Sequence, residues 1–213
     1  MVTLIDCDSF QIQANGRLFF CEVGVPDFTP PELQGQPFRG VKRTPNHDNF
    51  GLAILAFQLL FMGRHPFSGR YSGPGEDSLE TAIRHFRFAY GATAHTKGIA
   101  PPPHTLGLDS LPSSLAGLFE RAFSEAGTRA GRPTAGEWIQ ALDGLLRELR
   151  SCPRVPIHRY FRSVAQCPWC RLEPLAGMLF FVSVTLPAAP GVAFDLDEAW
   201  RRICAIPGIE PLA

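Results

Sequence analysis

Residues 46–63, NHDNFGLAILAFQLLFMG, decide how the rest of the chain is read. Asn46 or Asp48 can cap the start of a helix here, and Gly63 supplies a stop. Between them nearly every face is apolar, the pattern of a helix buried on all sides rather than of an amphipathic surface helix. Such a helix needs a shell of other elements around it, and the flanking sequence supplies them.

Upstream, SFQIQ and RLFFCEV flank Asn15-Gly16, the dipeptide of a two-residue hairpin turn, so a short N-terminal β-hairpin is expected. A Pro/Gly-rich loop, GVPDFTPPELQGQPFRG, follows without helical period. Downstream, residues 78–90 read as an amphipathic helix. LPSSLAGLFERAF sets Leu115, Leu118, Phe119, Ala122 and Phe123 on one stripe. In RPTAGEWIQALDGLLRELR, Thr134 and Glu137 form a capping box, and Trp138, Leu142, Leu145, Leu146 and Leu149 line one face. At Ser151 the texture changes to a loop-like stretch rich in Cys and His. A strand over MLFFVSVTL and a terminal helix over DLDEAWRRICAI complete the chain. The expected fold is mainly α: a helical domain over residues 1–150 with its hairpin, then a small metal-binding α+β segment over 151–213.

Lys+Arg and Asp+Glu both count 20 in the 213 residues, so the formal net charge is zero. That balance gives no global electrostatic case for binding nucleic acid or an anionic membrane. Arg154, Arg159, Arg162 and Arg171 surround the late cysteines, but nucleic acid is not the expected partner. No signal-peptide pattern is visible, and the most apolar run is too short to cross a bilayer, which takes about 20 residues. The cysteines stand at 7, 21, 152, 167, 170 and 204, and a cytoplasmic location with free or metal-bound thiols is expected.

Cys167-Pro-Trp-Cys170 has the two-residue spacing that lets both sulfurs reach one tetrahedral ion, and Cys152 and His158 supply the other pair. A Cys3His set leaves no open position for water, so the expected site is structural zinc. The competing reading is a thioredoxin-like redox pair. It needs a helix beginning at the first cysteine within a βαβ unit, and the sequence around it reads as loop. Cys7, Cys21 and Cys204 read as ordinary buried thiols, and His47, His65, His85 and His104 show no partner pattern.

The order of motifs in residues 1–148 resembles the C-terminal lobe of a protein kinase entered at its magnesium loop. LIDCD looks like the apolar-apolar-Asp-Phe-Gly segment, with Asp6 at the magnesium-binding Asp, Cys7 in place of Phe and Asp8 in place of Gly. Pro30-Pro31-Glu32 stands where kinases carry Ala-Pro-Glu. HDNFGLAILAFQLLFMGRHPF is similar to the central helix of that lobe with its Asp, here Asp48, and the following Gly-x-x-Pro-Phe. RPTAGEW is similar to the late Arg-Pro-Thr-Ala signature and puts Arg132 where kinases pair an Arg with that Glu. More narrowly, DCDSFQ, PPEL, HPFSGR, RAF, RPTAGEW and the trailing CPWC resemble a bacterial family joining a Ser/Thr-kinase-like domain to a zinc-binding segment. Some members continue into helix-hairpin-helix DNA-binding repeats, and relatives occur beside tellurium-resistance and phosphatase genes.

The resemblance implies ATP-dependent phosphoryl transfer to protein, with Asp6 holding magnesium, Asp8 as a possible second ligand, and Asp48 anchoring the catalytic loop. The plain alternatives stay open: Asp6 and Asp8 as the start of a turn, the metal motif shifted to Asp8-Ser9-Phe10, and Asp48 as an N-cap. The Gly-rich loop, the strand Lys with its helix Glu, and the His-Arg-Asp loop with its Asn are absent from the sequence. The resemblance places them ahead of Met1, together with the N-lobe that completes an ATP and magnesium site. The isolated chain is therefore expected to be a fragment without kinase activity, its partner a protein. From Phe10 to Phe28 there is no Ser, Thr or Tyr, so activation-loop phosphorylation has no acceptor there. The alternative function is a non-catalytic kinase-like scaffold with the zinc segment as docking surface.

Overall fold

The computed structural model describes residues 10–181 and Arg201. Asp6, Cys7, Asp8 and Cys204, the rest of the strand expected beyond Phe181, and the expected terminal helix therefore lie outside the described residues. Within 178–181 no strand forms. Residues 10–181 pack as one compact unit.

The N-terminal hairpin forms at the expected turn. Strands β1 (Ile12–Ala14) and β2 (Arg17–Phe19) pair antiparallel in the register Ile12 to Phe19. Asn15 and Gly16 both take positive φ, 50° and 75°, as a tight primed turn requires. Cys21, just past the hairpin, is half-buried rather than buried. Two single turns of 3-10 helix, Pro26–Phe28 and Pro31–Leu33, then lead into α1 (Pro45–Leu60).

Helix α1 starts earlier than its expected caps. Thr44 is the N-cap, Pro45 occupies the first helical position, and His47 Nδ1 accepts the Thr44 backbone N–H at 3.2 Å. Asp48 is thus a first-turn residue on an exposed face, and the N-cap alternative for it fails. Asn46 is released from capping and bonds to Arg132 instead. The helix ends where Met62 and Gly63 turn left-handed and Gly63 N–H reaches back to the Gln58 carbonyl.

Phe50, Ala53, Ile54, Ala56 and Phe57 face the core. The expectation of burial on all sides does not hold: Leu55, Leu59 and Met62 are exposed, with Leu59 80% accessible. Leu55 and Leu59, four residues apart, share one side of the helix, and Met62 lies just past its end.

An aromatic cluster surrounds the buried side. The Phe57 ring stacks on Phe61 at 4.0 Å and meets Tyr90, Phe119, Phe88 and Phe123 edge-on at 4.8–6.2 Å. Helix α2 (Leu79–Arg84) is shorter than expected over 78–90, because Phe86 takes a φ of 51°. That break turns Phe88 and Tyr90 into the cluster instead of leaving them on a helical surface.

Helices α3 (Ser113–Ala122) and α5 (Ala135–Arg147) close the core, with the short α4 (Glu125–Ala130) between them. Leu115, Phe119, Ala122 and Phe123 are buried as their stripe implies, and Leu118 is half-buried. Thr134 and Glu137 form the capping box, with Glu137 also paired to Arg121. On α5, Trp138 and Leu145 are buried and Leu142 is half-buried, whereas Leu146 is exposed. Leu146 directly follows Leu145, so the helical rotation of about 100° per residue carries it off the buried face.

Strand β3 (Arg70–Tyr71) pairs with β4 (Ile99–Ala100). The last described part is the hairpin of β5 (Leu149–Ser151) and β6 (Arg159–Phe161) followed by α6 (Pro168–Ala176).

Candidate metal centre

The β5–β6 hairpin and the start of α6 bring four metal-ligating side chains together. Cys152 and His158 sit just beyond the hairpin's last pair, joined by the Cys152 N–H to His158 carbonyl bond at 2.9 Å. Cys167 is the N-cap of α6 and Cys170 lies in its first turn. Trp169 between them donates its ring N–H to the Arg159 carbonyl at 2.7 Å, fastening the helix start to β6.

The ligand atoms of Cys152, His158, Cys167 and Cys170 all lie within 4.8 Å of one another. Cys152 and Cys170 sulfurs are 3.6 Å apart, and His158 Nδ1 is 3.6 Å from Cys167 Sγ and 3.5 Å from Cys170 Sγ. Around a tetrahedral zinc with Zn–S of about 2.3 Å and Zn–N of about 2.05 Å, the corresponding edges are about 3.8 Å and 3.6 Å. The donor set therefore fits such an ion in kind, and three of its six edges match in spacing while the others lie within 4.8 Å. The sulfur separation is also far above a disulfide's length of about 2.05 Å.

The electrostatics point the same way. Burial works against ionising Cys152, but the backbone N–H groups of Val155 and Arg154 and the neighbouring thiols outweigh it and lower its pKa. Burial and then the Cys152 and Cys167 sulfurs push Cys170 up to about 11. Three thiolates crowded together repel one another, and a divalent cation among them removes that cost.

The surroundings of Cys167 differ from the loop expected there: α6 begins directly after it. A helix start at the first cysteine therefore does not separate zinc from a redox pair. What disfavours the redox pair is the setting, an antiparallel hairpin rather than a βαβ unit, and two further ligands within reach.

Glu173 is a partner that sequence reasoning misses. It lies on α6 three residues after Cys170, and its Oε1 is 3.2 Å from His158 Nε2 and accepts the Phe180 N–H at 3.0 Å. Spacing relative to Cys170 is the one signal that could have found it, since i and i+3 share a helix face.

Elsewhere, Glu32 and Arg132 form a two-pronged ion pair, Nη1 to Oε1 at 2.7 Å and Nη2 to Oε2 at 2.8 Å. Arg132 is 2% accessible, and the Glu32 side chain is 22% accessible. Burial raises the Glu32 pKa, but the hydrogen bonds and charge of Arg132 prevail and hold it below the usual carboxylate value.

The remaining Arg132 donors are spent on the Ala122 and Asn46 carbonyls and on Thr128 Oγ1, while Asn46 Oδ1 accepts the Arg132 backbone N–H at 2.7 Å. Gly127 is required nearby, because a Cβ there would run into the Arg121 carbonyl oxygen. A second tie runs from the turn after α1: His65 Nε2 is 3.0 Å from the Asp27 carbonyl, with the imidazole buried. Asp48 is not part of either network.

The chain is 47% identical over 208 residues, 96% of its length, to the protein named protein kinase YegI of Escherichia coli strain K12. It is 49% identical over the same length to the protein of that name from Escherichia coli O157:H7. The chain is a homologue of proteins named as kinases. It spans 32% of the length of these curated relatives. No protein-family model and no solved structure matches it.

Among the described residues, no helix is long and apolar enough to cross a membrane.

Proposed function

We propose that this chain is the helical-lobe portion of a Ser/Thr protein-kinase-like protein, joined to a structural zinc module. The observation that carries the reading is the Glu32–Arg132 pair. It links Pro-Pro-Glu to Arg-Pro-Thr-Ala across 100 residues, the two signatures whose charged residues pair in the kinase lobe. The homologues named protein kinase YegI support it along nearly the whole chain.

In the longer protein the reaction is phosphoryl transfer from ATP to a protein hydroxyl. Asp6 holds magnesium there, with Asp8 beside it, and Asp48 supports the catalytic loop. Catalysis of this kind is almost entirely positioning and charge neutralisation, so the chain by itself transfers no phosphate. The exposed Leu55 and Leu59 of α1, with Met62 just past its end, support this division, as apolar surface with room for further protein. The metal is zinc, and the site's work is to fold the 152–181 segment. The location is the cytoplasm, and the partners are proteins.

The test is ATP-dependent phosphorylation of a protein substrate by a longer protein containing the remaining length of the relatives. Asp6→Ala should reduce transfer to background, and the 213-residue chain should show none. Transfer by the chain alone overturns its assignment as an inactive portion. Loss with Asp8→Ala but not with Asp6→Ala moves the motif by two residues. A longer protein that binds protein partners but transfers nothing is a scaffold, the reading that the hydroxyl-free 10–28 segment favours.

A further inference from the structure

We propose that Glu173 is a positioning residue of the metal centre, which fixes the His158 tautomer and couples that ligand to the 178–181 segment. The inference rests on the zinc reading of the site and adds a residue to it.

The imidazole of His158 has two distinguishable sides. Nδ1 lies 3.5–3.6 Å from two of the sulfurs, and Nε2 lies 3.2 Å from Glu173 Oε1. A neutral imidazole carries one N–H, and a carboxylate can only accept. The proton therefore sits on Nε2, and the Nδ1 lone pair is left facing the thiols. A carboxylate behind a ligating histidine holds the ring's orientation and raises the basicity of the far nitrogen.

Both partners are buried, His158 at 1% and Glu173 at 8% accessibility. Burying a carboxylate is costly unless its charge is satisfied. Glu173 has no Arg or Lys within ion-pair distance among the described residues, its ion-pair contact there being His158. Its other donor is the Phe180 N–H, on the same Oε1. The Phe181 ring packs 4.9 Å from Trp169 and 5.7 Å from His158, so the tethered segment also covers the ligand. One carboxylate thus holds a metal ligand from behind and the backbone that shields it.

A purely structural Glu173 would tether Phe180 and leave metal affinity alone, which separates the two roles. Zinc affinity is measured by competition with a chromophoric chelator for the wild-type chain, Glu173→Ala and Glu173→Gln. The His158 ring nitrogens are followed by 15N NMR in the zinc-loaded protein. The wild-type spectrum should show a metal-bound Nδ1 and a protonated Nε2. Glu173→Ala should weaken zinc about 10–100-fold. Glu173→Gln, which keeps an acceptor oxygen without the charge, should fall between the two. A folded Glu173→Ala protein within about twofold of wild-type affinity overturns the proposal. If that variant does not fold, Glu173→Gln decides it, and unchanged affinity together with an unchanged ring spectrum overturns it. A wild-type chain that takes up no zinc defeats the metal reading itself, whatever the variants do.

Discussion

The aromatic cluster around α1 and the Cys/His centre beyond β5 hold their parts of the chain by opposite means. In the first, Phe57 alone touches five other rings, and cohesion is spread over many weak contacts with no obligatory member. In the second, four side chains on a short hairpin and a helix of 9 residues converge on one point. The segment adds Tyr160, Trp169 and Leu172 to the shared core, and small units of this kind commonly also depend on metals or disulfides. The contrast teaches that damage should be graded in the cluster and nearly all-or-none at the centre.

On the zinc reading, the largest effect should come from removing the metal. Zinc sites in small domains supply apparent binding free energies of roughly 10–16 kcal/mol, and that energy is folding energy. A strong chelator, or Cys170→Ser, should abolish amide protection over residues 149–181. Protection in α1 and α3 should persist, as read by hydrogen exchange. Equal loss in both regions would break the comparison.

Next comes Phe57→Ala, which leaves a cavity at the centre of the cluster. It should cost about 3–5 kcal/mol in chemical denaturation and leave zinc stoichiometry unchanged in the folded fraction.

Cutting the Glu32–Arg132 pair should rank third. Glu32→Ala leaves the buried guanidinium without its carboxylate, at about 3 kcal/mol. The pair also carries a pH dependence. The folded-state pKa of Glu32 lies below its ordinary value of 4.5. Its stabilisation is therefore complete above the ordinary carboxylate range and is lost as pH falls through the lower folded value. Acid unfolding of Glu32→Ala should lack that component, which a comparison of stability at neutral and acid pH will show.

The smallest effect should be Leu59→Ser. In this chain it should change stability by no more than about 0.5 kcal/mol, because the side chain is exposed. A large loss would mean that the α1 stripe is already covered.

Features written in local chemistry are legible in the amino-acid sequence. Asn15-Gly16 specifies the hairpin because only residues tolerating positive φ suit that turn, and Thr134 with Glu137 marks a helix start. The four candidate ligands are legible because coordination demands rare residue types at tight spacing. What distant packing decides is not. Helix α2 stops at Arg84 because Phe88 and Tyr90 are claimed by rings of α1. Thr44 displaces Asn46 as the cap, and Asn46 instead meets Arg132, 86 residues away. Glu173 has only its three-residue spacing from Cys170 as a local signal, since its role exists once β6 and α6 are side by side.

The Glu32–Arg132 pair also has a history during synthesis. Its two members are separated by 100 residues. At a ribosomal pace of roughly 5–20 residues per second, Glu32 emerges some 5–20 s before its partner exists. Throughout that interval the Pro-Pro-Glu turn has no guanidinium to close on, and Asn46 waits for the same residue. The end of the segment leading into α1 is therefore among the last parts of the helical unit to be fastened, after the helix it precedes has been made.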